Sequence, residues 1–135
     1  MASDLEFRED LHLIIWRPRG VLDEAAVNRG LVELVKRETK AAQPFNRFSD
    51  LSAVESFHLT FKYVFHIALY RRLSYSGREP VRSAFYVTDT EAAHIIKIHA
   101  LMTDFSPLQV EMFDKREAAA EWLGVPIESL MPPGG

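Results

Sequence analysis

The stretch Arg47-Phe48-Ser49-Asp50-Leu51-Ser52-Ala53-Val54-Glu55-Ser56-Phe57-His58-Leu59-Thr60 decides how this chain folds. It reads as a strand that ends in a polar turn and feeds a very apolar helix, expected from about Leu59 to Leu73. At 100° per residue Lys62 and His66 begin a polar stripe on that helix, but Leu69 and Leu73 continue the same stripe as apolar residues. Phe61, Tyr63, Val64, Phe65, Ile67, Ala68 and Tyr70 cover most of the remaining circumference. A helix with so little polar surface must be covered on most sides. Neighbouring helices, a partner subunit or an apolar ligand would each do so.

Working back from this stretch, Leu5-Glu6-Phe7-Arg8 alternates apolar and charged residues, as a half-exposed edge strand does. Glu9-Asp10 reads as a tight connection. Leu11 to Trp16 is almost continuously apolar, the pattern of a strand buried on both faces, so it is placed deep in a sheet with the first strand antiparallel beside it. Gly20-Val21-Leu22-Asp23 leads into a helix with Asp23 as N-cap and Val27, Leu31, Leu34 and Val35 on one face. Gly30 costs roughly 1 kcal/mol relative to Ala in a helix interior and marks close approach of helix to sheet.

Downstream, Val81 to Val87 reads as a central strand and Thr88-Asp89-Thr90-Glu91 has the form of a capping box. The helix it opens carries Ala92, Ile95, Ile96, His99 and Met102 on one face. Leu108 to Phe113 alternates cleanly and is the opposite edge strand. Asp114-Lys115-Arg116-Glu117 is a further capping box, before a short helix bearing Ala118, Ala119, Trp122 and Leu123 and closed by Gly124. Met131 to Gly135 reads as a frayed tail. Strands joined through helices become parallel by right-handed crossover. The expected fold is therefore α/β: one domain over residues 1–135, a mixed sheet of about five strands with the first antiparallel at the edge, and about four helices.

Composition bounds the function. Sixteen Lys and Arg against nineteen Asp and Glu give a net charge of -3, which removes any general attraction to nucleic acid or anionic membranes. Without cysteine there is no disulfide, thiolate zinc site or cysteine nucleophile, as suits a reducing cytoplasm. No apolar run approaches the ~18 to 20 residues that span a bilayer, so no integral membrane association is expected. The five histidines, His12, His58, His66, His94 and His99, show no metal-ligand spacing, and no glycine-rich nucleotide fingerprint occurs, so neither metal nor cofactor is expected.

Polar chemistry collects where strand C-termini meet helix N-termini. Two of the three junctions, Thr88 to Glu91 and Asp114 to Glu117, need no role beyond capping. The third holds Asp50, Ser52, Glu55, Ser56, His58 and Thr60, more than one cap requires. Ser56, His58 and Asp50 make a Ser-His-Asp set on paper, but no nucleophile elbow with flanking glycines accompanies it, so no catalysis is expected. Arg71, Arg72, Arg78 and Arg82 cluster near one turn, where solvation explains them more simply than an anion does.

Gly20-Val21-Leu22-Asp23 before a helix, then Asp50-Leu51-Ser52-Ala53-Val54-Glu55-Ser56 at the next strand end, resembles the STAS domain of anti-sigma factor antagonists, and most nearly its SpoIIAA-like branch, grouped with SEC14-type domains. The ending Phe113-Asp114-Lys115-Arg116-Glu117-Ala118-Ala119-Ala120-Glu121-Trp122-Leu123 is similar to that branch's. The resemblance spans roughly Leu5 to Val125. It implies a switch in which a partner kinase phosphorylates a serine of an Asp-Ser-Ser-Gly turn. An ungapped match puts Ser56 at the first serine, Phe57 at the phosphorylated one and His58 at the glycine, so the switch does not carry over and Ser56 is left as the candidate for modification.

Two functions are then expected. The first is a cytoplasmic STAS-like interaction module, self-associating as a dimer or binding a regulatory protein through residues 56–73, with Ser52, Ser56, Phe57, His58, Thr60, Phe61 and Phe65 at the contact. The alternative is a carrier or sensor of a small, lipid-like apolar ligand, in keeping with the SEC14 kinship, with Phe57, Phe61, Tyr63 and Phe65 lining its site.

Overall fold

The computed structural model describes residues 5–41, 45–60, 62–64, 66–67, 81–102 and 108–132. Its main sheet has five strands, β1 (Leu5–Arg8), β2 (Leu13–Trp16), β4 (Asn46–Asp50), β6 (Val81–Tyr86) and β7 (Leu108–Phe113), in the order β1-β2-β4-β6-β7. β1 is antiparallel to β2 and every other pair is parallel, the mixed sheet that the alternation of strand and helix dictates. The helices are α1 (Glu24–Ala41), α2, of which residues 62–64 and 66–67 are described, α3 (Thr90–Met102) and α4 (Arg116–Leu123).

The strand patterns divide the core between the two sheet faces. Leu13 and Ile15 of β2, Phe48 of β4 and Ala84 of β6 point one way and pack with Ala119, Ala120 and Leu123 of α4. Their neighbours one residue along, Ile14, Trp16, Arg47, Ser49, Ser83 and Phe85, belong to the other face, beneath α1, α2 and α3. Gly30 lies where α1 crosses Trp16: a Cβ there would stand 3.4 Å from the indole Nε1. The close approach expected of this glycine is thus onto one aromatic ring.

Four local readings change. Glu9–Leu11 forms a 3-10 turn, and His12 takes a left-handed φ of 50°, so the second strand starts at Leu13. Val35 is 45% exposed, because the apolar stripe of α1 rolls past it while Leu34 stays buried. The N-cap of α3 is Asp89, whose carboxylate accepts from the Ala92 N–H at 3.1 Å, one residue beyond the Thr88 start of the predicted box. At α4 no box forms: the helix starts at Arg116, which leaves Lys115 as N-cap without a side-chain acceptor.

The largest departure concerns the polar turn itself. Gly20–Asp23 (β3) and Val54–His58 (β5) pair in parallel as a separate two-stranded sheet. Gly20 adopts φ +73°, a conformation glycine takes without penalty, and its N–H donates to the Ala53 carbonyl at 3.3 Å. The turn is therefore confined to residues 51–53, and the chain re-enters strand geometry at Val54. Asp23 remains the N-cap of α1, accepting from the Ala26 N–H at 2.9 Å.

A candidate ligand cavity on one face of the sheet

Arg47 and Ser49 lie two residues apart on β4, so their side chains leave the same face. Across the strands Arg47 is the Cα partner of Ile14 and Ser83, and Ser49 is the partner of Trp16 and Phe85. These rows form the floor of a cavity of about 120 Å³, comparable with the ~150 Å³ of apolar space that takes up a benzene ring. Val27, Gly30, Leu31 and Leu34 of α1 form one wall and Ala92, Ile95 and Ile96 of α3 another. Leu22, Phe57, Tyr63, Val64 and Ile67 close over it from β3, β5 and α2.

The pairing of β3 with β5 makes that cover. Leu22 and Phe57 are Cα partners, and both pack into the cluster of Leu51, Phe85, Val87, Ala92 and Ile96. Phe57, expected at a partner contact or lining a ligand site, is thus half-buried over the cavity. Ser56, one residue earlier, belongs to the other face of the strand, beside Val21, which is 48% exposed.

Thr60 caps α2: its hydroxyl accepts from the Tyr63 N–H at 3.1 Å. The helix start therefore falls at Thr60, and Ser56, Phe57 and His58, matched by the resemblance to a turn, are strand residues. His58 is exposed at the end of β5, and Ser52 is exposed in the turn before it. Phe61 and Phe65 lie outside the described residues, as do Arg71, Arg72 and Arg78. Arg82, the fourth arginine of that cluster, donates to the Trp122 carbonyl at the end of α4 and stacks over its ring at 5.4 Å.

Tyr63 ties the cover to the wall. Its hydroxyl lies 2.7 Å from Asn28 Oδ1 and 3.2 Å from the Glu24 carbonyl, one proton shared between two acceptors on α1. Burial, and next the charge of Glu24, raise the phenol above its ordinary range. The native state then holds this proton where the unfolded chain has released it. The contribution is complete below pH ~10 and is lost as pH rises through the folded value. Tyr63→Phe is expected to cost about 1 kcal/mol at pH 7 and to flatten part of the decline in Tm above pH ~10; equal slopes in variant and parent would refute that assignment.

Asp50 leaves the opposite face of β4 and is 3% exposed. Its Oδ1 accepts from the Ser52 hydroxyl at 2.6 Å and the Ser52 N–H at 3.0 Å, while Oδ2 accepts from Arg116 Nη2 at 2.9 Å. The Arg116 guanidinium also stacks on Tyr86 at 4.4 Å. This carboxylate, needed by the paper triad, is thus committed to fixing the turn and α4. Among the described residues there is no group of three or more His, Asp or Glu placed to hold a metal. No helix among them is long and apolar enough to cross a membrane.

Sheet order, the antiparallel edge strand and the helices define a SpoIIAA-like fold. A solved structure shares it: an uncharacterised protein of the DUF3478 family, with a SpoIIAA-like fold, from Shewanella loihica PV-4. It is 15% identical, aligns over 90% of this chain and 92% of that one, and superposes with a TM-score of 0.58. No family model and no curated protein matches the chain.

Proposed function

We propose that this chain is a non-catalytic binding domain, a carrier or sensor that holds a small apolar molecule between the main sheet and helices α1, α2 and α3. The observation that supports the reading is the cavity. Protein interiors are packed to crystal-like density and keep few voids larger than a water molecule, whereas this one has room for a ring or short chain of about six to ten heavy atoms. Apolar walls with a few convergent polar groups are the usual composition of a small-molecule site. The contact-surface reading draws less support, because Phe57 is turned toward the cavity.

Toluene and indole are suitable neutral probes. In a titration followed by backbone amide resonances, shifts are expected to concentrate at Leu31, Phe57, Tyr63 and Ile95, with saturation at millimolar concentration or below. Leu31→Trp, which fills the space from the α1 wall, is expected to abolish them while preserving the far-ultraviolet circular dichroism spectrum. Small, unsaturated shifts spread over the surface would reject the proposal.

A further inference from the structure

We propose that Tyr63 is the gate of this cavity: its ring spans the seam between α1 and α2 through which an apolar molecule enters and leaves, and its hydroxyl latches that seam onto α1. The inference rests on the binding reading above and adds to it the route of exchange. Burial around the lining locates the seam. Ala92, Ile95 and Ile96 of the α3 wall are buried, and Leu22 and Phe57 of the cover pack with Ala92 and Ile96 in one cluster, so that side is closed. Along the facing sides of α1 and α2 the lining is only half-buried, at Val27, Gly30, Leu31, Tyr63 and Ile67. Among the described residues, the approach from solvent therefore runs between these two helices.

The rows of α1 show how the ring lies. Val27 and Leu31, four residues apart, form the row that lines the cavity. Glu24 and Asn28, also four apart, form the adjacent row, and both are exposed. Tyr63 lines the cavity, yet its hydroxyl reaches that second row, 2.7 Å from Asn28 Oδ1 and 3.2 Å from the Glu24 carbonyl. A phenol with its body at the lining and its tip on the outer row bridges the gap between the helices. The latch is also weak enough to open. One neutral hydrogen bond is worth about threefold to tenfold in an equilibrium constant. Tyr63 stands in the first turn of α2, just after its Thr60 cap, where helix N–H groups lack intrahelical partners. Rotation of this one side chain clears the seam while the sheet, α1 and α3 stay packed.

Exchange kinetics of fluorobenzene, a neutral single ring, test this: the line shape of its fluorine resonance gives the dissociation rate and a titration gives Kd. Where opening limits exchange, both rates scale with the open population and their ratio does not. Tyr63→Phe keeps the ring and removes the latch, so association and dissociation are both expected to quicken by about threefold to tenfold, with Kd within about twofold of the parent. Asn28→Ala leaves the Glu24 carbonyl as acceptor and is expected to raise both rates by about twofold to threefold; it decides the matter if Tyr63→Phe does not fold. A residue that merely contacts the guest would show a different signature, with dissociation alone faster and Kd weaker. That signature, or unchanged rates in the folded variants, would overturn the gate and leave the cavity reading intact. Failure of fluorobenzene to bind the parent would overturn both.

Discussion

Asp50→Ala is expected to lower the stability of the fold by about 3 kcal/mol, which for a chain of this size is a fall in Tm of roughly 10 °C. Four hydrogen bonds end on this carboxylate, from Ser52 N–H, Ser52 Oγ, Arg116 Nε and Arg116 Nη2. The Asp50 side chain is 4% exposed and that of Arg116 20%, so removing the anion strands a cation that water reaches poorly. That penalty exceeds the small value of a surface ion pair. The partial exposure of Arg116 and its stacking on Tyr86 keep the cost at the lower end of the range. Removing both charges together, as Asp50→Leu with Arg116→Leu, is expected to cost less than Asp50→Ala alone, because no uncompensated charge remains. Thermal melts of the three proteins check this; a fall under about 3 °C for Asp50→Ala, or a double variant worse than the single, would show that the pair is not a buried anchor.

Asp50 also separates what the sequence makes legible from what it hides. The five-stranded sheet arises from period-two runs, near-continuous apolar segments and the alternation of strands with helices, each a local signal. Pairing between β3 and β5 has no such signal. Gly20-Val21-Leu22-Asp23 is a short segment, and Val54-Glu55-Ser56-Phe57-His58 mixes polar and apolar residues at the end of a stretch that reads as one strand. Each acquires strand geometry only because the other lies alongside, and contacts between residues so far apart in the chain cannot be seen in either segment.

The cavity floor is half visible in the sequence. Arg47-Phe48-Ser49-Asp50 alternates, but in a central strand both faces are buried, so a basic and a hydroxyl residue on one face and a carboxylate on the other are unusual. That oddity marks Arg47 and Ser49 as the polar residues of the cavity floor. Ser83 carries no comparable mark, since a small residue in a central strand is equally a packing choice. The apolar excess around the α2 stretch calls for cover, and its described residues Tyr63, Val64 and Ile67 do turn to the cavity. Phe57, expected either at a partner contact or in the lining of an apolar-ligand site, helps to cover the cavity, because β5 pairs with β3 and turns it inward.

Leu130→Ala is expected to cost about 3 to 4 kcal/mol, although the residue stands close to the C-terminal end of the sequence. Gly124, at φ +73°, stops α4 as its sequence implies, and Pro126 then sets the entry to a second 3-10 turn, Ile127–Leu130. That turn returns the chain to the sheet. Leu130 is 0% exposed and packs with Leu13, Ile15, Phe48 and Leu123. The Met131 carbonyl accepts from Arg17 Nη2 at 3.0 Å, which fixes the turn against the segment after β2. Truncating the leucine removes its transfer free energy and leaves a cavity between β2 and α4 that neighbours on rigid elements cannot fill, so the loss should sit in the upper part of the range for such changes. Leu130→Met, which nearly conserves volume, is expected to cost under ~1.5 kcal/mol. Denaturant unfolding of both variants discriminates a core anchor from a surface tail: a loss for Leu130→Ala no larger than for Leu130→Met would mean that the segment after Gly124 contributes little to the fold.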